Sequence, residues 1–465
     1  MGRIKLLPFQ LIPPMCYLSG FPQSLVSPRW LCALMATSLS SCMLPAREPA
    51  AAAPSTDRPA PAMASALPHK LSLADARRIA YQRNWDLLAA QANVDQTIAL
   101  ELVSREFPNP TFSYTTGKIS SDASPNGTRR GNSLWNRSYD SVFAVNQLIE
   151  IGGKRGLRQS SASHGRLAAS ASLQDARRIL DLGVTKAYLA ALLAEANVAI
   201  LSNSAASLRQ QAKIAGARLN AGDISQSDKA QIEIAAEQLE LNAEAAKSTA
   251  LTERIAMEVL LGEKSPKGTW QASDNLESLA TDSFAAPEAT AQLRPDVLAA
   301  EANLRKAEAD HDLQKAMRIP DPTALLQYEH NPPDTANTIG IGLSFPLPLW
   351  NSNKGNIKAA AAAQALAADQ LGKIKAQAAA EVAAARAALE EASARRKRYA
   401  NTIAPKSAET VKIVQYAYQK GGAALVDLLQ AQRTDNDIRV ATAQAMADKA
   451  SAAATLANVL NLHHP

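Results

Sequence analysis

The sequence predicts a mostly α-helical fold with a small β part, built as two helix-strand-strand-helix repeats. Residues 107–111 (FPNPT) recur as residues 319–323 (IPDPT), a shift of 319 − 107 = 212. Beyond the strands the shift is 354 − 155 = 199, and it then carries Gly222 onto Gly421 and Asp228 onto Asp427. No proline occurs between Pro125 and Pro266, which leaves room for one very long helix. A repeat of this length indicates two copies of one unit that bury their apolar faces against each other.

The N-terminal segment is predicted to be a targeting signal rather than part of the fold. Arg29 precedes an apolar run that is too short to span a bilayer, which needs about 20 residues. The run ends in Leu39-Ser40-Ser41-Cys42, which resembles the bacterial lipoprotein box in which the cysteine is lipidated. Residue 43 is Met rather than Asp, which favours delivery to the outer membrane. An ordinary signal peptide is the simpler alternative, and we expect signal residues 1–41 and a Pro/Ala-rich lipidated tether over residues 42–70.

The body divides into two repeats joined by a linker. We predict repeat 1 over residues 71–262, an equatorial linker over 263–287 and repeat 2 over 288–465. Ser72, followed by Asp75, is expected to cap a first helix that ends before Pro108. A rod of about 60 residues, roughly 90 Å long, follows each strand pair, and Pro405 should kink the second rod.

Four strands are predicted from short β-type segments, at residues 110–118, 139–148, 322–330 and 337–345. In the last of these Ile339, Ile341 and Leu343 alternate with glycines, so one face should meet lipid and the other tolerates only small or polar groups. Four strands cannot close a barrel, and open edges in lipid are costly, so the chain must associate into eight or twelve strands. Aromatic residues near strand ends suit a membrane girdle, although they could equally be core residues: Tyr114, Trp135, Tyr139, Tyr328, Phe345 and Trp350.

These motifs resemble the TolC-like outer-membrane factor family along nearly the whole body. The resemblance implies a homotrimer with a 12-stranded outer-membrane β-barrel, continued by a long periplasmic α-barrel. Two junctions between strand and helix are similar to those of the cobalt-zinc-cadmium resistance channels. The first contains Gly152, Gly153 and Arg155, and the second contains Pro346, Pro348 and Trp350. This branch often has Phe where the chain has Trp350.

The helix turns at Gly222 and Gly421 are the predicted periplasmic mouth. Glycine accepts the positive φ of a tight turn, and Asp228 and Asp427, six residues later, suit the start of the returning helix. The resemblance implies that these turns meet the adaptor protein. Some members close the mouth with ionic links, but Ala423 and Gln430 replace two of the residues involved. The two aspartates are therefore either gate residues or plain helix-start residues.

No catalytic, cofactor-binding or metal-binding motif is recognisable, so the sequence predicts no enzyme and no cofactor. The net charge of +6 owes much to Arg3, Lys5 and Arg29 in a segment without acids, so a nucleic-acid partner is not expected. The leading hypothesis is an export channel for heavy-metal cations. Its predicted partners are two further copies, a periplasmic adaptor, an inner-membrane resistance-nodulation-division pump and outer-membrane lipid. The alternatives are a channel for organic drugs or type I secretion and, more remotely, a poreless trimeric periplasmic lipoprotein.

Overall fold

The fold is a bundle of long helices with a four-stranded sheet at one end. The computed structural model describes residues 67–117, 140–281, 294–331 and 335–461. The helices are α1 Leu73–Arg83, α2 Trp85–Arg105, α3 Lys154–Asn220, α4 Gln226–Leu260, α5 Leu276–Thr281, α6 Pro295–Ala316, α7 Lys354–Arg398, α8 Ala404–Gln419 and α9 Leu425–Val459. The strands are β1 Lys70–Leu71, β2 Thr111–Gly117, β3 Asp140–Leu148, β4 Gln271–Ala272, β5 Thr323–Asn331 and β6 Thr335–Ser344. The predicted fold class, mostly helical with a small β part, is confirmed.

The first helical segment is two helices rather than the single predicted one. Ser72 caps α1 as expected, accepting the backbone N–H of Asp75 at 3.1 Å. Buried Asn84 then separates α1 from α2, because its side chain accepts the Leu87 N–H at 3.1 Å and donates to the Leu260 carbonyl at 3.0 Å. A side chain that satisfies the start of a new helix in this way replaces the helical hydrogen bond that the backbone loses.

The four longer strands form one antiparallel sheet in the order β2-β3-β5-β6. The two hairpins, β2-β3 and β5-β6, come from the two repeats, and β3 pairs with β5 across the repeat boundary. β2 and β6 are the edges of this sheet. Each edge carries a row of backbone groups that no strand of the same chain pairs within the described residues.

The rods that follow the hairpins differ between the repeats. α3 is unbroken over 67 residues, which corresponds to roughly 100 Å. Its counterpart is interrupted between α7 and α8 by a π-helical segment, Tyr399–Ile403, and Pro405 is the second residue of α8. Proline removes a helical N–H and crowds the carbonyl four residues earlier, and a π turn accommodates both effects. At the position of the predicted kink, the structure therefore has a π-helical segment next to Pro405.

The main core lies around the middle of α3. Tyr188 of α3 is fully buried and stacks on buried Trp270 with the ring centroids 5.9 Å apart. The Tyr188 hydroxyl donates to the Leu71 carbonyl at 2.9 Å, and β1 pairs with β4 in parallel. Part of the predicted linker is thus packed into the core. By length and composition α3 could cross a membrane, and 39% of the candidate span is buried within the protein.

Candidate functional site

The two faces of the sheet differ sharply in polarity. Strand register aligns Tyr114, Phe143, Tyr328 and Ile339 across one face, and Phe112, Val145, Leu326 and Ile341 in the next row. Apart from Val142 and Leu325, the opposite face carries small or polar residues, for example Ser113, Ala144, Gln327 and Gly340 in one row. This is the pattern of a membrane barrel wall, apolar outside and polar inside.

The predicted lipid-facing residues occupy the apolar face of the edge strand β6. Ile339, Ile341 and Leu343 are 76%, 88% and 65% exposed, so no part of the chain that the structure describes covers them. Three adjacent exposed aliphatic side chains would be costly in water, and burying each in lipid would gain about 1.5–3 kcal/mol. Exposure of this apolar face to water is therefore unfavourable.

Two of the aromatic residues predicted near strand ends, Tyr114 and Tyr328, lie within strands and join a row of rings with Phe143. The Tyr114 and Phe143 rings lie 4.7 Å apart, and the Phe143 and Tyr328 rings lie 6.2 Å apart. Tyr114 and Tyr328 sit inside β2 and β5, whereas Phe345 and Trp350 lie beyond the end of β6. Trp135 and Tyr139 lie outside the described residues. Tilted pairs of this kind stabilise neighbouring strands.

The first junction between strand and helix is held by a buried ion pair. Gly152 and Gly153 both have φ of 72°, which turns the chain from β3 into α3. Lys154 is only 7% exposed, and its Nζ contacts Asp321 Oδ1 at 2.7 Å and the Ile319 carbonyl at 2.5 Å. The same carboxylate accepts the Ile151 N–H at 2.9 Å. The end of repeat 1's hairpin is thus fastened to the start of repeat 2's hairpin.

Two arginines near the start of α3 hold the same junction. Arg155 donates to the Arg105 carbonyl at 2.6 Å and lies over the Phe107 ring, 3.7 Å from its centroid. Arg158 makes a two-point contact with Glu150 at 2.6 and 3.1 Å. The hydrogen bond from Arg158 lowers the pKa of the Glu150 carboxyl below its ordinary value. The predicted junction residue Arg155 is therefore one of three cations that hold this junction, together with Lys154 and Arg158.

The second junction is longer and more open. Nine residues, 345–353, separate β6 from α7, whereas five residues, 149–153, separate β3 from α3. Pro346 and Pro348 provide no N–H for strand pairing, which ends the ladder. Trp350 is 94% exposed. Asn353 takes the left-handed conformation at the start of α7, with φ of 58°, as Gly153 does before α3.

The two predicted helix turns have the same backbone geometry. Gly222 and Gly421 have φ of 85° and 75°. The Gly222 N–H donates to the Leu219 carbonyl and the Asp223 N–H to the Arg218 carbonyl, both at 2.9 Å. In the second turn, the Gly421 N–H donates to the Tyr418 carbonyl at 3.1 Å and the Gly422 N–H to the Ala417 carbonyl at 2.8 Å. Both turns are Schellman motifs, in which glycine at the left-handed position satisfies the last helical carbonyls.

Asp228 and Asp427 serve as helix-start residues. Asp228 accepts the Ser225 N–H at 3.2 Å while Ser225 Oγ accepts the Asp228 N–H at 3.0 Å, a complete capping box. Asp427 accepts the Ala424 N–H at 3.2 Å, but Ala424 has no side-chain oxygen to return the bond. Of the two interpretations left open by the sequence, the geometry supports the helix-start role.

The turns of the two repeats lie against each other. Leu425, directly after the second turn, is buried with Leu208, Ile232 and Ala236 of the first hairpin. Arg218 lies over the Tyr418 ring at 5.5 Å. Leu425 was not predicted as a functional residue, since an apolar residue at a helix start carries no sign of where it packs. Asp321 was not predicted either, although Pro-Asp-Pro in one repeat and Pro-Asn-Pro in the other indicate a difference between the two junctions.

Comparison with known proteins assigns the family. Residues 77–263 and 286–462 match the outer membrane efflux protein family. The chain belongs to this family. Its members are homotrimeric channels that combine an α-barrel with a β-barrel, and they act with periplasmic adaptor proteins and resistance-nodulation-division pumps. The protein is thus an outer-membrane channel that extends into the periplasm and is involved in efflux.

Individual relatives of this efflux protein agree with the assignment. The chain is 28% identical over 395 residues to the cobalt-zinc-cadmium resistance protein CzcC of Cupriavidus metallidurans. The aligned residues cover 84% of this chain and 90% of CzcC. The crystal structure of CusC superimposes with a TM-score of 0.72 at 16% identity, covering 83% of this chain and 91% of CusC. For VceC of Vibrio cholerae the TM-score is 0.69 at 18% identity, covering 83% and 95%. These two structures support the fold.

Proposed function

We propose that this outer membrane efflux protein is the channel of a tripartite system that exports heavy-metal cations such as cobalt, zinc or cadmium. The observation that supports heavy-metal cations as the cargo is the 28% identity to a cobalt-zinc-cadmium resistance protein over most of both chains. The first junction, with its cation run Lys154, Arg155 and Arg158, supports the same branch of the family. The channel itself carries cargo passively, and the pump provides the energy.

Three copies would close a barrel of twelve strands, four from each chain. The two unpaired edges, β2 and β6, support this arrangement, because an open edge in lipid leaves backbone groups unsatisfied at several kcal/mol each. The polar face, with Gly340 and Gln327, would line the lumen, and Ile339, Ile341 and Leu343 would face lipid. The Pro-Asp-Pro and Pro-Asn-Pro segments would then lie at the periplasmic rim.

The turns at Gly222 and Gly421 would form the periplasmic mouth and meet the adaptor. The length of α3 supports this role, since it places the turns roughly 100 Å from the sheet. Both turns carry an exposed charged residue next to the glycine, Asp223 after Gly222 and Lys420 before Gly421, that a partner protein could contact. The cognate adaptor and pump are expected to be those of a metal-resistance system.

A lipid on Cys42 would add a second membrane attachment. Cys42 lies outside the described residues, and the lipoprotein-box pattern supports the proposal. Mass spectrometry of the mature N-terminus tests it, and an unmodified Cys42 would refute it. A closed barrel buries far more apolar surface than acyl chains, so Cys42→Ser should reduce assembly yield without abolishing the trimer.

Metal tolerance in a deletion strain tests the channel and its cargo together. A strain that keeps the cognate pump and adaptor but lacks this gene should become sensitive to zinc, cobalt or cadmium, and the wild-type gene should restore growth. The matched control is the Ile341→Arg gene, which should fail to restore it because its barrel does not assemble. Restored tolerance to organic compounds without any effect on metals would assign the cargo to organic drugs instead.

A further inference from the structure

The loop between β6 and α7 presents an apolar ridge that the described residues of the same chain leave exposed. Phe345, Leu347, Leu349 and Trp350 are 55%, 63%, 69% and 94% exposed. The Leu349 N–H donates to the Leu347 carbonyl at 2.8 Å, a bond that stays inside the loop. The ridge continues directly from the apolar face of β6, which carries Leu343.

The corresponding loop of repeat 1 is fastened to the protein instead. It is four residues shorter, and its Ile149 and Ile151 N–H groups both donate to the start of β5, to the Pro322 carbonyl and Asp321 Oδ1, at 2.9 Å each. The two loops follow equivalent hairpins, so the greater length and exposure in repeat 2 are not imposed by the fold.

The cations that follow the two loops also differ between the repeats, in whether they form ion pairs. In repeat 1, Lys154 contacts Asp321, and Arg158 contacts Glu150. In repeat 2, Lys354 and Lys358 are exposed and form no ion pair within the described part of the chain. Positive charge is unfavourable at a helix N-terminus. These two lysines therefore do not stabilise α7, and their position suits an anionic partner.

An apolar ridge with an aromatic residue next to a pair of cations matches one kind of surface. At a bilayer boundary, tryptophan and aliphatic side chains enter the region between headgroups and acyl chains, while lysines reach the phosphates. We propose that residues 345–350 insert into the phospholipid leaflet at the periplasmic rim of the barrel, and that Lys354 and Lys358 bind anionic phospholipid headgroups. The inference rests on the membrane orientation of the sheet proposed above.

Tryptophan fluorescence in vesicles with brominated phospholipids tests the insertion of the ridge. Bromine on the acyl chains should quench Trp350, so the full chain with Trp350→Phe should lose part of the quenchable signal. Trp85→Phe is the matched control, since Trp85 is 54% exposed but lies at the far end of α2, about 30 Å from the sheet. It should leave the quenchable signal unchanged.

Lipid preference tests the two lysines. The full-length channel carrying Lys354→Gln and Lys358→Gln should lose preference for phosphatidylglycerol over phosphatidylcholine, by about fivefold per lysine, measured as association of spin-labelled lipids. The control pair, Lys397→Gln and Arg398→Gln, removes two exposed charges at the other end of α7, about 65 Å away, and should change nothing.

Three outcomes decide between the possibilities. Unquenched Trp350 in an intact trimer would overturn the inference and indicate that the neighbouring copy covers the ridge. An unchanged lipid preference in the lysine variant would overturn the headgroup contact. Failure of the wild-type chain to form channels in vesicles would instead contradict the proposed function, on which the inference depends.

Discussion

A single charge on the apolar face of β6 should disrupt the barrel. Ile341 lies opposite Leu326 in the sheet and is 88% exposed in the isolated chain, so an arginine there meets no steric conflict with the residues that the structure describes. Any loss must therefore come from placing the charge in lipid. Near the bilayer midplane that loss is about 2–4 kcal/mol per copy, or about 6–12 kcal/mol for a trimer.

Thr338→Arg provides the matched comparison. Thr338 is on the same strand, but its side chain is on the opposite face, paired with Glu329. A charge in a lumen changes selectivity more than stability. We therefore expect Ile341→Arg to abolish the heat-resistant oligomer on gels and to lower the urea midpoint in lipid vesicles, while Thr338→Arg keeps both close to wild type. A larger loss with Thr338→Arg would show that the faces are assigned the wrong way round, and equal losses would refute the assignment of one face to lipid and the other to the lumen.

Three further changes test the mouth and the junction. Gly421→Val should cost on the order of 1–2 kcal/mol locally, because a Cβ there meets no atom within 4 Å and the strain lies in the positive φ alone. It should form trimers yet lose metal export in a tolerance assay, whereas Gly421→Asn, which accepts this φ, should keep most export; equal export by both would remove the turn from the mechanism. Asp321→Asn keeps an acceptor for the Ile151 N–H but leaves buried Lys154 without its counter-ion, which should lower the free energy of unfolding, measured by thermal denaturation, by about 3–5 kcal/mol. An unchanged free energy of unfolding would mean that the Lys154 ammonium reaches water. The lowered pKa of Glu150 implies stability that is present above its ordinary pKa of 4.5 and is lost as pH falls through the lowered value. The advantage of wild type over Glu150→Gln in unfolding midpoint should accordingly shrink between pH 5 and pH 3, and a constant difference would refute the link.

Local sequence was sufficient where the conformation depends on neighbouring residues. The strand pairs were recognisable because a side chain alternates between faces every second residue, as in Ile339, Ile341 and Leu343. The turns were recognisable because only glycine takes a positive φ without strain, at Gly222 and Gly421 alike. The repeat itself gave the architecture, since equal spacing in both halves requires equal structure.

Tertiary structure decided the features that join distant parts of the chain. The break at Asn84 depends on the Leu260 carbonyl, the burial of Lys154 on Asp321, and the burial of Leu425 on the other hairpin. Each partner lies more than 150 residues away in sequence, so no local pattern reveals it. The sequence by itself determined which segments are helix, strand and turn, because these follow from short-range sterics and side-chain periodicity. Which loop is fastened and which stays exposed was decided only by packing, because that depends on where the remote hydrogen-bond partners come to lie.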